Sequence, residues 1–183
     1  MKPWKRIDPT VVSKIGYRTI VTKTFKMPDG KIHHFQTVNN EGWQGAAVIA
    51  LTKDNKVVIA QQYRPGPDMV MDDLPGGWVE ESEDKEAAVR RELLEETGYE
   101  AGALTYLGIA HYDAYTNGQR HYFFATDCTL TDAGSSPEES EFIKVKLISI
   151  AQLIQNARDG RMVDPGAVLL AYDTLMKFKE GKS

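Results

Sequence analysis

Strand-like and helix-like patterns of apolar residues alternate along this chain in an order that predicts a mixed fold. Residues 17–26 and 31–38 are β-type runs on either side of the turn signal Pro28-Asp29-Gly30, which predicts a hairpin. A hairpin of that size is not stable alone, so it has to pack on the main domain or on a second copy of it. Residues 46–51 and 56–62 are rich in Val, Ile and Ala, are separated by Asp54-Asn55, and read as buried strands. Residues 64–73 read as a loop leading into Pro75-Gly76-Gly77 and an acidic helix. Further strands are expected near residues 104–111 and 120–127, with the polar loop 113–119 between them. Residues 129–141, rich in Ser, Pro and acids, form a loop, and 142–148 return as a strand. Ser149 is placed to cap a helix through Ala157, and a last helix is expected from Pro165 to about Lys179. This order predicts a mixed α/β sandwich, with residues 1–40 as a hairpin extension and 41–183 as the main domain.

The segment 77–99, GWVEESEDKEAAVRRELLEETGY, carries the chemistry. At 3.6 residues per turn, Glu92, Glu95 and Glu96 fall within an arc of roughly 100°. Three carboxylates there repel one another unless something positive sits among them. Hard divalent cations such as Mg²⁺ take oxygen ligands, through a few carboxylates together with substrate phosphates, so the helix reads as a metal platform. The Pro75-Gly76-Gly77 turn lets the backbone bend before the helix and offers a carbonyl to the same ion. Ser82 is the expected N-cap, with Glu83 and Asp84 in the first turn and Gly98 as the C′ residue. Glu83 lies about half a turn from the carboxylate arc, which suits it to pair with Arg91 rather than to bind the same metal.

The spacing Gly77, five residues, Glu83, seven residues, Arg91-Glu92-Leu93-x-Glu95-Glu96-x-Gly98-Tyr99 resembles the Nudix box of the Nudix hydrolases, with Tyr99 where an aliphatic residue is usual. The resemblance implies the Nudix fold, a mixed β-sheet sandwiched between α-helices. It also implies metal-dependent hydrolysis, with Mg²⁺ or Mn²⁺, of a nucleoside diphosphate linked to another moiety. Carried over residue by residue, Glu92, Glu95 and Glu96 are metal ligands with the Gly76 carbonyl. Arg91 and Glu83 hold the loop against the helix, and Glu95 and Arg91 belong to the catalytic set.

Pro137-Glu138-Glu139-Ser140-Glu141 resembles the acidic loop that supplies the base in ADP-ribose pyrophosphatases of this family, which implies Glu139 as general base and Glu141 as a further metal contact. A carboxylate with a pKa near ~4 is a weak base, so metal activation of the water has to carry much of the work. Arg64, at the end of a buried strand, is similar to arginines that contact the diphosphate there, and a guanidinium can grip phosphate oxygens in pairs. A salt bridge to the acidic helix is its other reading. Trp43 and Tyr115 are candidates to stack on a base, with packing as the alternative. The histidines lack zinc spacing with Cys128.

The hairpin, Gln62-Tyr63-Arg64, the acidic loop and two C-terminal helices together resemble ADP-ribose pyrophosphatases, which implies ADP-ribose as substrate and a homodimer. Residues 113–118 lack the proline those enzymes carry in this region, and Tyr115 is similar to a tyrosine of enzymes acting on dinucleoside polyphosphates. Dinucleoside polyphosphates, other nucleotide sugars, RNA ends and a non-catalytic binding role therefore stay as alternatives. Composition narrows these. The 183 residues suit one domain, and a net charge of −4 gives no general pull toward nucleic acid or anionic membrane. Cys128 is the single cysteine, so no internal disulfide forms and a reducing compartment is expected. MKPWKRIDPT lacks the apolar run of a signal peptide and no stretch is apolar enough to cross a membrane, so a cytoplasmic protein is expected.

Overall fold

A computed structural model describes residues 3–137 and 142–181, which fall into two units. The first comprises Met1–Gln44 with His111–Gln119, and the second Gly45–Ala110 with Arg120–Ser183.

In the first unit, β1 (Lys5–Ile15), β2 (Arg18–Lys26) and β3 (Ile32–Val38) form an antiparallel sheet in the order β1-β2-β3. The expected hairpin is β2 and β3, and Gly30 makes its turn at a φ of 85°. The third strand was not expected, so the extension is a sheet and not a hairpin. The reason is local: KRIDPTVVSKI lacks apolar alternation and carries a proline, which a central strand excludes but an edge strand or a bulge accepts. The β1–β2 register shifts between Ile7 and Val11, across that proline. The segment 111–119 is tied to β3 through the Val38 N–H, which donates to the Tyr115 carbonyl at 2.8 Å, and the Asn117 N–H, which donates to the Val38 carbonyl at 2.8 Å.

The second unit is a sheet between helices. Its strands are β4 (Gln44–Thr52), β5 (Lys56–Arg64), β6 (Met69–Asp73), β7 (Gly76–Trp78), β8 (Tyr99–Glu100), β9 (Leu104–Ala110), β10 (Gln119–Leu130) and β11 (Lys144–Ser149). The path runs β11-β5-β4-β10-β8, with β6 on β5, β7 on β4 and β9 on β10. Alternate residues of β4 serve the two faces. Ala47, Ile49 and Leu51 join Leu153, Ile154, Val168 and Leu175 from the helices α2 (Ile150–Arg158), α3 (Pro165–Leu170) and α4 (Tyr172–Lys179). Ala46, Val48 and Ala50 face Val89 and Leu93 of α1 (Lys85–Thr97). This is the mixed sheet between helices that the motif implied.

Three local expectations are corrected. Residues 64–73 are not all loop, because β6 pairs with β5 from Ala60↔Asp73 to Arg64↔Met69. The N-cap of α1 is Asp84 and not Ser82: Asp84 accepts from the Glu86 N–H at 2.9 Å, whereas Ser82 takes a left-handed φ of 70° in the preceding turn. The last helix breaks at Ala171 into α3 and α4. Ser149 does cap α2, accepting from the Gln152 N–H at 3.1 Å, and Gly98 closes α1 at a φ of 75°. Among the described residues no helix is long and apolar enough to cross a membrane.

One buried histidine gives the fold a pH signature. His121, 7% exposed, shares a hydrogen bond with the Tyr106 hydroxyl through Nδ1, and its Nε2 has no partner among the described residues. Burial, helped by the positive charge of Lys85, pushes its pKa below the ordinary 6.5. The unfolded chain then binds a proton that the folded one refuses, so stability is fully present above 6.5 and falls as pH drops below it. Urea melts should show wild type losing stability from pH 7 toward about pH 5 more steeply than His121→Gln. Parallel losses would contradict the assignment.

Candidate active site

β4 and β5 pair only at Ala50↔Val58 and Leu51↔Val57 before they part. Beyond that point β6 takes the free edge of β5, and β7 takes that of β4 at Gly45↔Trp78, Ala46↔Gly77 and Ala47↔Gly76. The connection between β6 and β7 lies in the resulting fork, where the Pro75 carbonyl accepts from the Val48 N–H at 3.0 Å. Gly76 has a φ of 153°, and a Cβ there would come within 2.2 Å of the Ala46 carbonyl oxygen. Only glycine fits so close to a neighbouring strand.

The acidic face of α1 meets this turn. Glu96 is 3% exposed, and its Oε2 accepts from the Gly76 N–H at 2.9 Å. It is buried because the turn reaches over it. A Cβ at Gly77 would stand 2.3 Å from Oε1 of Glu92, so the missing side chain is the space that carboxylate uses. Arg91 gathers the charges. Its Nε donates to Glu83 Oε1 at 3.0 Å, its Nη1 to Glu92 Oε1 at 3.0 Å and to Glu95 Oε2 at 2.9 Å, and its Nη2 to the Trp78 carbonyl at 3.2 Å. The same bonds hold the Glu83 carboxyl below its ordinary range and push the Arg91 pKa up. The expected Glu83–Arg91 pair is therefore formed.

Gly76, Arg91, Glu92, Glu95 and Glu96 are thus brought together. Among the described residues no three acidic, histidine or cysteine side chains converge closely enough to hold a metal ion, since Arg91 stands between Glu92 and Glu95. The donors themselves suit a hard cation: three carboxylates on one helix, and a glycine turn at which a Cβ would fill the space in front of Glu92. Glu139 and Glu141 lie outside the described residues. The chain leading toward them is anchored to the same helix end, where the Ser136 N–H donates to the Glu95 carbonyl at 2.8 Å and the Thr131 N–H to the Gly98 carbonyl at 2.9 Å.

Arg64 forms a salt bridge, but not to the acidic helix where its alternative reading put it. Its Nε donates to Oδ2 of Asp73 at 2.6 Å, and Asp73 is on β6, not on the helix. Sequence reasoning missed Asp73; the available signal was an acid beside Leu74, directly before the Pro-Gly-Gly turn. Trp43 and Tyr115 belong to the first unit. There they line a cavity of about 740 Å³ with Trp4, Phe25, Phe35 and Lys23. The Trp43 and Tyr112 rings lie 5.0 Å apart, and Tyr115 is 57% exposed. Lys23 and Arg6 flank Glu41, whose carboxyl is lowered to about 2, chiefly by its hydrogen bond from Arg6.

The glycine contacts give a paired prediction. Gly77→Ala should leave the melting temperature nearly unchanged, because its obstacle is the movable end of Glu92, and should weaken Mn²⁺ binding about ten- to a hundredfold. Gly76→Ala meets backbone and should lower the melting temperature instead. Thermal melts and Mn²⁺ titration followed by electron paramagnetic resonance separate the two, and equal Mn²⁺ affinity in Gly77→Ala would contradict the Glu92 assignment.

Comparison with known proteins agrees with this geometry. The chain is 28% identical over 145 residues to the methanol dehydrogenase activator of Bacillus methanolicus, covering 79% of this chain and 77% of that one. It is 27% identical over 141 residues to the ADP-ribose pyrophosphatase of Bacillus subtilis (strain 168), covering 76% and 75%. A solved structure described as an ADP compounds hydrolase superposes with a TM-score of 0.78 at 16% identity, covering 100% of this chain and 98% of that one, a likeness of fold. The family model for the NUDIX domain matches residues 43–167. With Gly77, Glu83, Arg91, Glu92, Glu95, Glu96 and Gly98 interlocked at the spacing of the box, the chain belongs to the Nudix hydrolase family.

Proposed function

We propose that this Nudix hydrolase cleaves the diphosphate linkage of ADP-ribose, giving AMP and ribose 5-phosphate, and that it requires Mg²⁺ or Mn²⁺ to do so. The observation that carries the reading is the Arg91 hub, which holds Glu92 and Glu95 on one face of α1 against the Gly76-Gly77 turn. Similarity to a protein named ADP-ribose pyrophosphatase supports the choice of substrate.

In this reading Glu92, Glu95 and Glu96, with the Gly76 carbonyl and Glu141, hold the metal. The ion supplies charge neutralisation at the diphosphate and a lowered pKa for the attacking water. Glu139 accepts the proton of that water as its oxygen bonds to phosphorus. The bridging P–O bond breaks, and the released phosphate keeps the electron pair. Arg64 grips the diphosphate. Arg91 holds Glu83 and the Trp78 carbonyl, fixing the loop before the helix. Trp43 and Tyr115 contact a ring of the nucleoside, and the aromatic lining they share with Trp4, Phe25 and Phe35 supports that role. The active species is proposed to be a cytoplasmic homodimer with no nucleic-acid or membrane partner. Support comes from the outer edge of β1, which has no strand partner among the described residues and where Val11, Val12 and Ile15 are more than half exposed, and from the acidic net charge.

A second reading, a dinucleoside polyphosphate, draws on Tyr115. Asp113 accepts from the Tyr115 and Thr116 N–H groups at 2.6 and 2.7 Å, a turn that leaves the Tyr115 ring exposed for a second base.

A Mg²⁺-dependent phosphate-release screen over ADP-ribose, ADP-glucose, GDP-mannose, NADH, diadenosine polyphosphates and nucleoside triphosphates tests the choice. ADP-ribose should have the highest kcat/KM, with AMP and ribose 5-phosphate identified by mass, and preference for a polyphosphate would favour the second reading. Glu96→Gln should keep the acceptor oxygen for Gly76 and its melting temperature, yet lose kcat by about two to three orders of magnitude. Unchanged activity in Glu96→Gln would contradict the metal assignment. A protein that sediments as a monomer would contradict the dimer.

A further inference from the structure

Close to the carboxylate cluster, the second unit holds another buried acid that this reaction scheme leaves unused. Asp73 is 1% exposed. One of its oxygens accepts from Arg64 Nε at 2.6 Å and the other from the Val163 N–H at 2.9 Å. A carboxylate so removed from water is costly unless its oxygens are engaged, and here both are. The two contacts come from opposite directions in the chain, the end of β5 and the α2–α3 connection. The second of these is itself fixed: the Asp72 N–H donates to the Arg161 carbonyl at 2.9 Å, and Asp164 takes an ion pair from Arg120 at 3.0 Å and a hydrogen bond from the Tyr122 hydroxyl at 2.8 Å. Asp73 is therefore a rigid anchor.

What it anchors is only partly buried. The Arg64 side chain is 35% exposed, and among the described residues its guanidinium makes one hydrogen bond, through Nε. A guanidinium is a planar fork, so fixing Nε fixes the plane and leaves the Nη1–Nη2 edge pointing away from the anchor. That edge matches two oxygens of a phosphate. The adjacent acid behaves differently. Asp72 spends its oxygens on Gln61, Lys146 and Asn156 at 2.6, 3.0 and 3.1 Å, which ties β5, β6, β11 and α2 together. Among the described residues Asp72 thus has no cation with a free edge beside it, whereas Asp73 has the Arg64 guanidinium.

We propose that Asp73 is a positioning residue for substrate. It holds the Arg64 guanidinium by Nε so that the Nη1–Nη2 edge meets the diphosphate already oriented. The proposal rests on the diphosphate role of Arg64 given above. An oriented guanidinium loses less freedom when the substrate arrives, so the benefit appears in KM more than in kcat.

The experiment is a double-mutant cycle read as KM and kcat for ADP-ribose with Mg²⁺. Arg64→Ala and Asp73→Asn should each raise KM about ten- to a hundredfold, with kcat little changed. Asp73→Asn should add nothing on the Arg64→Ala background, because its effect passes through Arg64. If Arg64→Ala leaves KM unchanged, the diphosphate role of Arg64 is wrong and the positioning role falls with it. If Arg64→Ala raises KM but Asp73→Asn does not, or raises it equally without Arg64, only the positioning role is overturned. Should Asp73→Asn fail to fold, the wild-type protein decides. The Arg64 Nε–H resonance, assigned by its loss in Arg64→Lys, should exchange with water far more slowly than those of exposed arginines, and exchange at their rate would overturn the proposal.

Discussion

Strands β4 and β5 pair over two residues and then diverge, and the backbone groups left on their facing edges have to find other partners. That requirement shapes the candidate site. It draws β6 and β7 into the fork and sets Gly76 and Gly77 at fixed positions beside the face of α1. Because β7 is hydrogen-bonded to β4 at Ala46 and Ala47, the Gly76 N–H meets Glu96 and the space a Gly77 side chain would take is filled by Glu92. β6 is hydrogen-bonded to β5 from Ala60↔Asp73 to Arg64↔Met69, and the Arg64 side chain reaches back along that pairing to Asp73. The partners of the α1 carboxylates and of Arg64 are thus placed by one pair of short strands.

Electrostatics supplies the second constraint. Glu83, Glu92 and Glu95 share one guanidinium, and their mutual repulsion is met by a single positive charge with several fixed N–H donors. Net negative charge remains on this face, and with it a drive to bind a cation. The Glu83 end of the hub joins the turn before the helix to the helix itself, while Glu92 and Glu95 are bound from within the helix. Glu95 is the more accessible of these two, at 43% side-chain exposure against 14% for Glu92.

The parts of this site that the sequence made legible are those governed by local spacing. The carboxylate arc, the Gly98 cap and the Glu83–Arg91 pair follow from helical geometry and from the length of the turn before it. What stayed hidden depends on pairing between distant segments. Residues 69–73 form a strand because β5 has a vacant edge, which nothing in MVMDD announces. Asp73 binds Arg64 for the same reason. Ser82 and Asp84 are both good capping residues, and the choice fell to Asp84 because Glu83 turns back to accept from the Glu80 N–H at 3.0 Å. The burial of Glu96 is not legible either, because it comes from Gly76, twenty residues away. The third N-terminal strand was missed because edge strands tolerate the polar, proline-containing sequences that hide them.

The most direct measurement is a crystal structure of the protein soaked with Mn²⁺ and a non-hydrolysable methylene analogue of ADP-ribose, with the metal located by anomalous scattering. Anomalous density is expected at Glu92 and Glu96 beside the Gly76 carbonyl, with the Arg91 bond to Glu92 or Glu95 exchanged for metal and the Arg91–Glu83 pair intact. Mn²⁺ bound away from these carboxylates, with the analogue elsewhere, would contradict the metal assignment.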